Sequence, residues 1–164
     1  MRYFITFACY GEHIHGDESG SVDPCHNVPG HPFLEANPRR VTVESKRMDQ
    51  APYRLDQANR ATVLEAITQV CSYRNWNLLA AHVRMNHVHV VVEAEVRPEK
   101  IMNDLKCYAS RGLNLMGRDG SDRKRWARHG STRWLWKDSE VRDAITYVVE
   151  DQGEPMAVFV ADGV

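Results

Sequence analysis

The chain has 164 residues, a formal net charge of −1, and 43% hydrophobic against 26% charged residues. That length suits one domain, 1–164, with a proper core, and the near-neutral balance excludes a protein that coats nucleic acid by charge alone. No apolar run approaches the roughly 18 residues of a membrane span, and Met1-Arg2-Tyr3-Phe4-Ile5-Thr6-Phe7 lacks a signal-peptide layout, so a cytoplasmic protein is expected.

Arg2 to Tyr10 reads as a strand, with Tyr3, Ile5 and Phe7 alternating against Phe4 and Thr6. An irregular insertion follows at about 11–52, rich in Gly and Pro and carrying His13-Ile14-His15, Cys25-His26 and His31. Loops of that length are usually functional or mobile, but these spacings fit no standard zinc finger. Val41-Thr42-Val43-Glu44 is a candidate short strand within it. Leu55 to Tyr73 is expected to be a helix, with Leu64, Ile67, Val70 and Cys71 as its inward stripe. Trp76 to Val83 reads as a strand, Met85-Asn86 as a turn, and the stretch to Glu93 as its partner. Pro98 suits the first turn of a second helix ending near Leu115, with Ile101, Leu105, Tyr108 and Leu113 partly inward. Ser131 to Trp136 is a further strand. A last helix, Glu140 to Gln152, is capped by Asp138 or Ser139 and ended by Gly153 and Pro155. The four cysteines, Cys9, Cys25, Cys71 and Cys107, show no C-x-x-C and are expected to be reduced.

The order β, α, β, β, α, β, α is that of an α+β, ferredoxin-like split βαβ: an antiparallel sheet with both long helices on one face, plus a C-terminal helix carrying a tyrosine. The free face would then carry the chemistry. In the strand His87-Val88-His89-Val90-Val91-Val92, alternation sends His87 and His89 to one side and the valines 88, 90 and 92 to the other. Two imidazoles side by side on a rigid strand can share one metal ion. Polar residues on a solvated sheet face are the plain alternative. On the last helix Val141, Ala144, Ile145, Val148 and Val149 form the buried stripe, and off it lie Tyr147, Glu150 and Asp151. A phenol with carboxylates within a turn could sit beside a His-His-carboxylate site. Between Arg118 and Lys137, seven cations face only Asp119 and Asp122. In that stretch Arg118, Arg123, Lys124, Arg125, Arg128 and Arg133 are candidate phosphate contacts, and Trp126 is the first choice for stacking on a base.

Asn86-His87-Val88-His89-Val90-Val91-Val92, Leu105-Lys106-Cys107-Tyr108, Trp134-Leu135-Trp136 and Tyr147-Val148-Val149-Glu150-Asp151-Gln152 together resemble the HUH superfamily. The resemblance is to its single-tyrosine transposases, the insertion-sequence-200-like TnpA and REP-associated proteins. It covers most of the chain except the insertion. It implies cleavage of single-stranded or hairpin DNA through a 5′-phosphotyrosine, with Tyr147 as nucleophile and Mg²⁺ or Mn²⁺ held by His87, His89 and a third ligand. The family usually places Gln four residues after the tyrosine. Here Asp151 stands at that offset, so Asp151 is preferred, with Glu150 and Gln152 as alternatives. Tyr108 is read as core. Relatives act as homodimers that exchange the tyrosine helix or as monomers, and the sequence does not choose between them; nor does it disclose the target. Two other classes stay open: a domesticated, non-catalytic binder of single strands or hairpins, and a His-His-carboxylate metal hydrolase that does not need Tyr147.

Overall fold

The computed structural model describes residues 1–12 and 48–164. The expectations for His13-Ile14-His15, Cys25, His26, His31 and the strand at 41–44 lie outside the described residues. Within them the order is β1 (Arg2–Cys9), α1 (Gln57–Arg74), β2 (Asn77–Val83), β3 (His87–Glu93), α2 (Pro98–Leu115), β4 (Trp126–Trp134), α3 (Asp138–Val149) and β5 (Ala157–Val160). The sheet order is β4-β1-β3-β2-β5, with every neighbouring pair antiparallel. This is the expected split βαβ arrangement with one added edge strand. Sequence reading passed over β5, a four-residue run that completes the sheet beside β2.

Alternation divides each strand between two cores. Tyr3, Ile5 and Phe7 of β1 join Val88, Val90 and Val92 of β3 under α1 and α2. The opposite face gathers Ala80, Val91 and Leu135 under Val141, Ala144, Ile145 and Val148 of α3. The two long helices thus share one face, as expected, while α3 covers part of the other. The inward stripe of α1 is Val63, Ala66, Ile67, Val70 and Cys71; Leu64, expected to be inward, is only partly buried beside it. Tyr108 packs with the long-helix core, on the side of the sheet away from the histidines.

Among the boundaries that differ from expectation, three bear on the site. Strand β4 begins at Trp126, so part of the basic stretch is sheet rather than loop. Its pairing with β1 shifts register between Phe7 and Cys9, and the buried Lys106 amine donates to the carbonyls of Ala127 (3.0 Å) and His129 (3.3 Å) there. Burial lowers that amine's pKa to about 8. Helix α3 starts two residues early, where the Glu140 carboxylate accepts the N–H groups of Trp136 and Lys137. It also ends three residues early, at Val149. Burying Val141, Ile145 and Val148 contributes about 1.5–3 kcal/mol each. That is a small anchor against roughly 1–2 kcal/mol of backbone entropy per ordered residue, so polar contacts must help hold this helix.

Candidate active site

The face of β3 under α3 carries both imidazoles, with ring centroids 4.7 Å apart. His89 is 5% exposed. Its Nδ1 lies 2.8 Å from the hydroxyl of Thr6, its cross-strand partner on β1. Its Nε2 lies 3.1 Å from Oε1 of Gln152. The carboxamide of Gln152 is oriented by its own NH₂, which donates to the carbonyl of Tyr147 at 3.2 Å. The Thr6 hydroxyl can serve either tautomer of His89.

The orientation of His87 is fixed by a relay that sequence reading missed. The amide of Asn86 donates to the Glu12 carboxylate, which turns Asn86 Oδ1 toward His87 Nδ1 at 2.6 Å. A carbonyl oxygen only accepts, so Nδ1 holds the proton and Nε2 is the basic nitrogen. Such outer partners set ligand basicity and typically matter 10- to 100-fold in metal affinity. Asn86→Ala is expected to weaken Mn²⁺ binding by about that factor with unchanged thermal unfolding, measurable by titration of the purified protein.

Burial, with the repulsion of His87, holds the pKa of His89 down to about 3. The imidazole is therefore neutral, as a metal ligand must be, across the ordinary pH range. An unfolded histidine titrates near 6.5, so between these values the unfolded chain binds more protons and stability falls as pH falls. In metal-free protein the loss is expected to be about 1 kcal/mol per pH unit below pH 6. Urea melts at pH 6.5 and 4.5 would measure it, and His89→Gln should reduce the difference, with buried His82 contributing the remainder.

Tyr147 stands on α3 with its ring edge-on to His89, centroids 5.6 Å apart, and against Phe4 at 5.8 Å. It is 43% exposed, so the phenol is reachable. Of the three candidate third ligands, Asp151, Glu150 and Gln152, one is brought to His89. Asp151 is exposed, and among the described residues no three His, Cys, Asp or Glu side chains gather for a metal. Glu150 is likewise exposed at the helix end. The side chain that meets His89 is Gln152. The offset of four that favoured Asp151 assumes a helix continuing past it, whereas α3 stops at Val149 and the chain turns through 150–153 with Gly153 at φ 77°.

The donor set suits a divalent cation. In this structure Gln152 Oε1 can only accept, so Nε2 of His89 carries the ring proton; in the other tautomer, with Nδ1 donating to Thr6, Nε2 and Gln152 Oε1 would be two electron-pair donors 3.1 Å apart. Cis ligands at about 2.1 Å from one ion stand roughly 3.0 Å apart. His87, His89 and Gln152 would hold the ion, a neutral set of two imidazoles and one carbonyl-type oxygen that favours Mn²⁺ over the harder Mg²⁺. Among the described residues, Cys9 and Cys71 are buried in the other core, where burial raises both thiols to about 12.

The basic stretch divides into two groups. Arg118 pairs with Asp56 and Asn59 at the start of α1. Arg123 binds Gln50 and the carbonyls of Ala51 and Pro52. Lys124 pairs with Asp49, and Arg125 is buried against Tyr53 near Asp119. These four tie the 118–125 segment to 48–59. Trp126 packs edge-on to Phe7, with its N–H shared between Lys106 O and Ser110 Oγ, so it is a packing residue. Arg128 and Arg133 are exposed on β4. Arg133 stands 6.0 Å from the Phe4 ring that touches Tyr147. Trp136 is 72% exposed and stacked on Trp134 at 5.1 Å and 10°.

The fold is thus a split βαβ sheet whose histidine strand is partly covered by a tyrosine-bearing helix. A profile of the family described as "Transposase IS200 like" matches residues 42–139, more than half of the chain. The chain belongs to that family. The matched stretch contains both histidines and ends before Tyr147 and Gln152. The solved structure of a REP-associated tyrosine transposase bound to a REP hairpin is similar at TM-score 0.50 and 10% identity. The match covers 92% of this chain and 65% of that one, and at such identity the likeness is one of fold. No curated protein matches. Among the described residues no helix is long and apolar enough to cross a membrane.

Proposed function

We propose that this chain is a metal-dependent single-stranded DNA endonuclease and strand transferase, acting as a transposase through a 5′-phosphotyrosine. The observation that carries the reading is the packing of Tyr147 against His89, with Gln152 reaching back to the same imidazole. Tyr147 is the nucleophile, and His87, His89 and Gln152 hold Mg²⁺ or Mn²⁺. When bound, the ion supplies charge to offset that developing on the scissile phosphate.

The phenol oxygen of Tyr147 attacks phosphorus and the bond from phosphorus to the 3′ oxygen breaks. The phenol proton passes to solvent, and the departing 3′ oxygen takes one up as a hydroxyl. One phosphoester replaces another, so the reverse attack by a 3′ hydroxyl rejoins strands without an external energy source. The attack needs the phosphate held in line with the phenol oxygen. Phe4 and His89 restrict where the ring can point, which is the orienting contribution this chain makes itself.

For the DNA path, Arg133 and Arg128 are the backbone cations and Trp136 the stacking surface. Arg133→Ala is expected to reduce the salt dependence of single-strand binding by about one counterion. Trp136→Ala should cost about 1–3 kcal/mol of affinity. Arg123→Ala should lower stability and leave affinity unchanged. Fluorescence anisotropy across a salt series separates these outcomes.

The experiment for the whole reading is incubation with labelled hairpin DNA and Mn²⁺, resolved on a denaturing gel for wild type, Tyr147→Phe and Tyr108→Phe. A covalent adduct lost only with Tyr147→Phe supports it. Binding without cleavage across a varied DNA library would favour a domesticated binder instead.

A further inference from the structure

Among the described residues, the buried histidine that the proposed chemistry does not use is His82, on β2. It is fully buried and lies directly across the ladder from His89. Its two ring nitrogens meet opposite kinds of partner. Nδ1 lies 2.8 Å from the carbonyl of Val148, in the last turn of α3. Nε2 lies 3.1 Å from the backbone N–H of Met156, at the entrance to β5. The carbonyl can only accept and the amide can only donate, so the ring is the neutral tautomer with its proton on Nδ1. Arg84, which has no acceptor, approaches the same Nε2 at 3.4 Å and donates to the carbonyl of Glu154 at 2.9 Å.

These contacts bracket one short segment. Val148 precedes it, Met156 follows it, and Glu154 lies within it. The segment carries Gln152, and Tyr147 adjoins Val148 at its start. Its residues 150–155 contribute little to either core, so polar contacts must fix its path. A helix end held by a histidine on the sheet is located relative to the strand on which His89 stands.

We propose that His82 is a positioning residue, a neutral imidazole staple that sets Tyr147 and Gln152 against the histidine strand by fixing both ends of the 149–155 turn. The role rests on the nuclease reading above only for its catalytic consequence. Its structural content stands apart, in which ring nitrogen is protonated and which amide it protects.

The test compares wild type, His82→Leu, His82→Gln and His82→Asn. Leucine keeps the apolar volume and removes both hydrogen bonds. Glutamine restores an acceptor near the position of Nε2, and asparagine a donor near Nδ1. In wild type, nitrogen-15 NMR is expected to find His82 protonated at Nδ1, with the Met156 amide protected from exchange. His82→Leu should lose that protection, weaken Mn²⁺ binding and slow adduct formation at saturating DNA about 100-fold. DNA affinity should stay within about twofold. His82→Gln should recover the Met156 protection and part of the rate. Should leucine prevent folding, the glutamine and asparagine variants carry the comparison, each losing one contact only. A proton on Nε2, undiminished Met156 protection in His82→Leu, or wild-type Mn²⁺ affinity in that variant would overturn the staple. If wild type forms no adduct with any DNA, the nuclease reading fails while tautomer and amide exchange still decide this one.

Discussion

Tyr147→Phe is expected to abolish the covalent protein–DNA adduct, a loss beyond about 10⁴-fold in rate of the kind that follows removal of a nucleophile. The ring contacts to Phe4 and His89 are made by the aromatic body, so phenylalanine should retain them and the variant should fold and bind DNA. That retention makes the substitution a clean chemical deletion. Tyr108→Phe should behave as wild type because that side chain lies tilted beside Tyr73 and packs against the core on the other face of the sheet. If instead Tyr147→Phe still forms an adduct, the nucleophile lies elsewhere and the packing of α3 on the histidine strand has another purpose. A hydrolase using the same ligands would release free 5′-phosphate in both variants, which the same gel distinguishes.

The fold was largely legible because its elements are strongly patterned. Strand alternation in Tyr3-Phe4-Ile5-Thr6-Phe7 and in His87 to Val92 assigns faces without ambiguity, and the structure keeps those faces. Pro98 marks the start of α2 to the residue. Errors concentrate where local signals are weak. The apolar residues of α1 allow two neighbouring stripes, and packing selected Val63 and Ala66 over Leu64. Strand β5 is too short to read alone and exists through pairing with β2. The basic stretch poses a different problem. Charge is visible in sequence, but whether an arginine meets a phosphate or the chain's own carboxylate depends on where 48–59 folds back.

At the candidate site, spacing and resemblance point to His87, His89 and Tyr147, whereas the side chains that orient them carry no such signal. Thr6 is 83 residues from His89 and Glu12 is 74 from Asn86. No local pattern announces such pairs. His82 carried one usable signal, a titratable residue at an inward position of an apolar strand.

The third ligand is where geometry and sequence spacing part, and the two assignments predict opposite results. Gln152→Ala should weaken Mn²⁺ binding by no less than the roughly 10- to 100-fold that loss of an outer partner costs, and slow adduct formation with it. Asp151→Asn should leave both unchanged, since that carboxylate is exposed and outside any cluster with the imidazoles. Gln152→Glu sharpens the comparison. It keeps an oxygen toward His89 but replaces the NH₂ that donates to the Tyr147 carbonyl. The added charge should tighten the metal while the lost bond loosens the turn, so affinity for Mn²⁺ should rise as the rate of adduct formation falls. Calorimetric titration with Mn²⁺ beside single-turnover cleavage would reveal the split. If Asp151→Asn proves the damaging change, α3 extends further in solution than Val149 and brings the carboxylate round to the histidines.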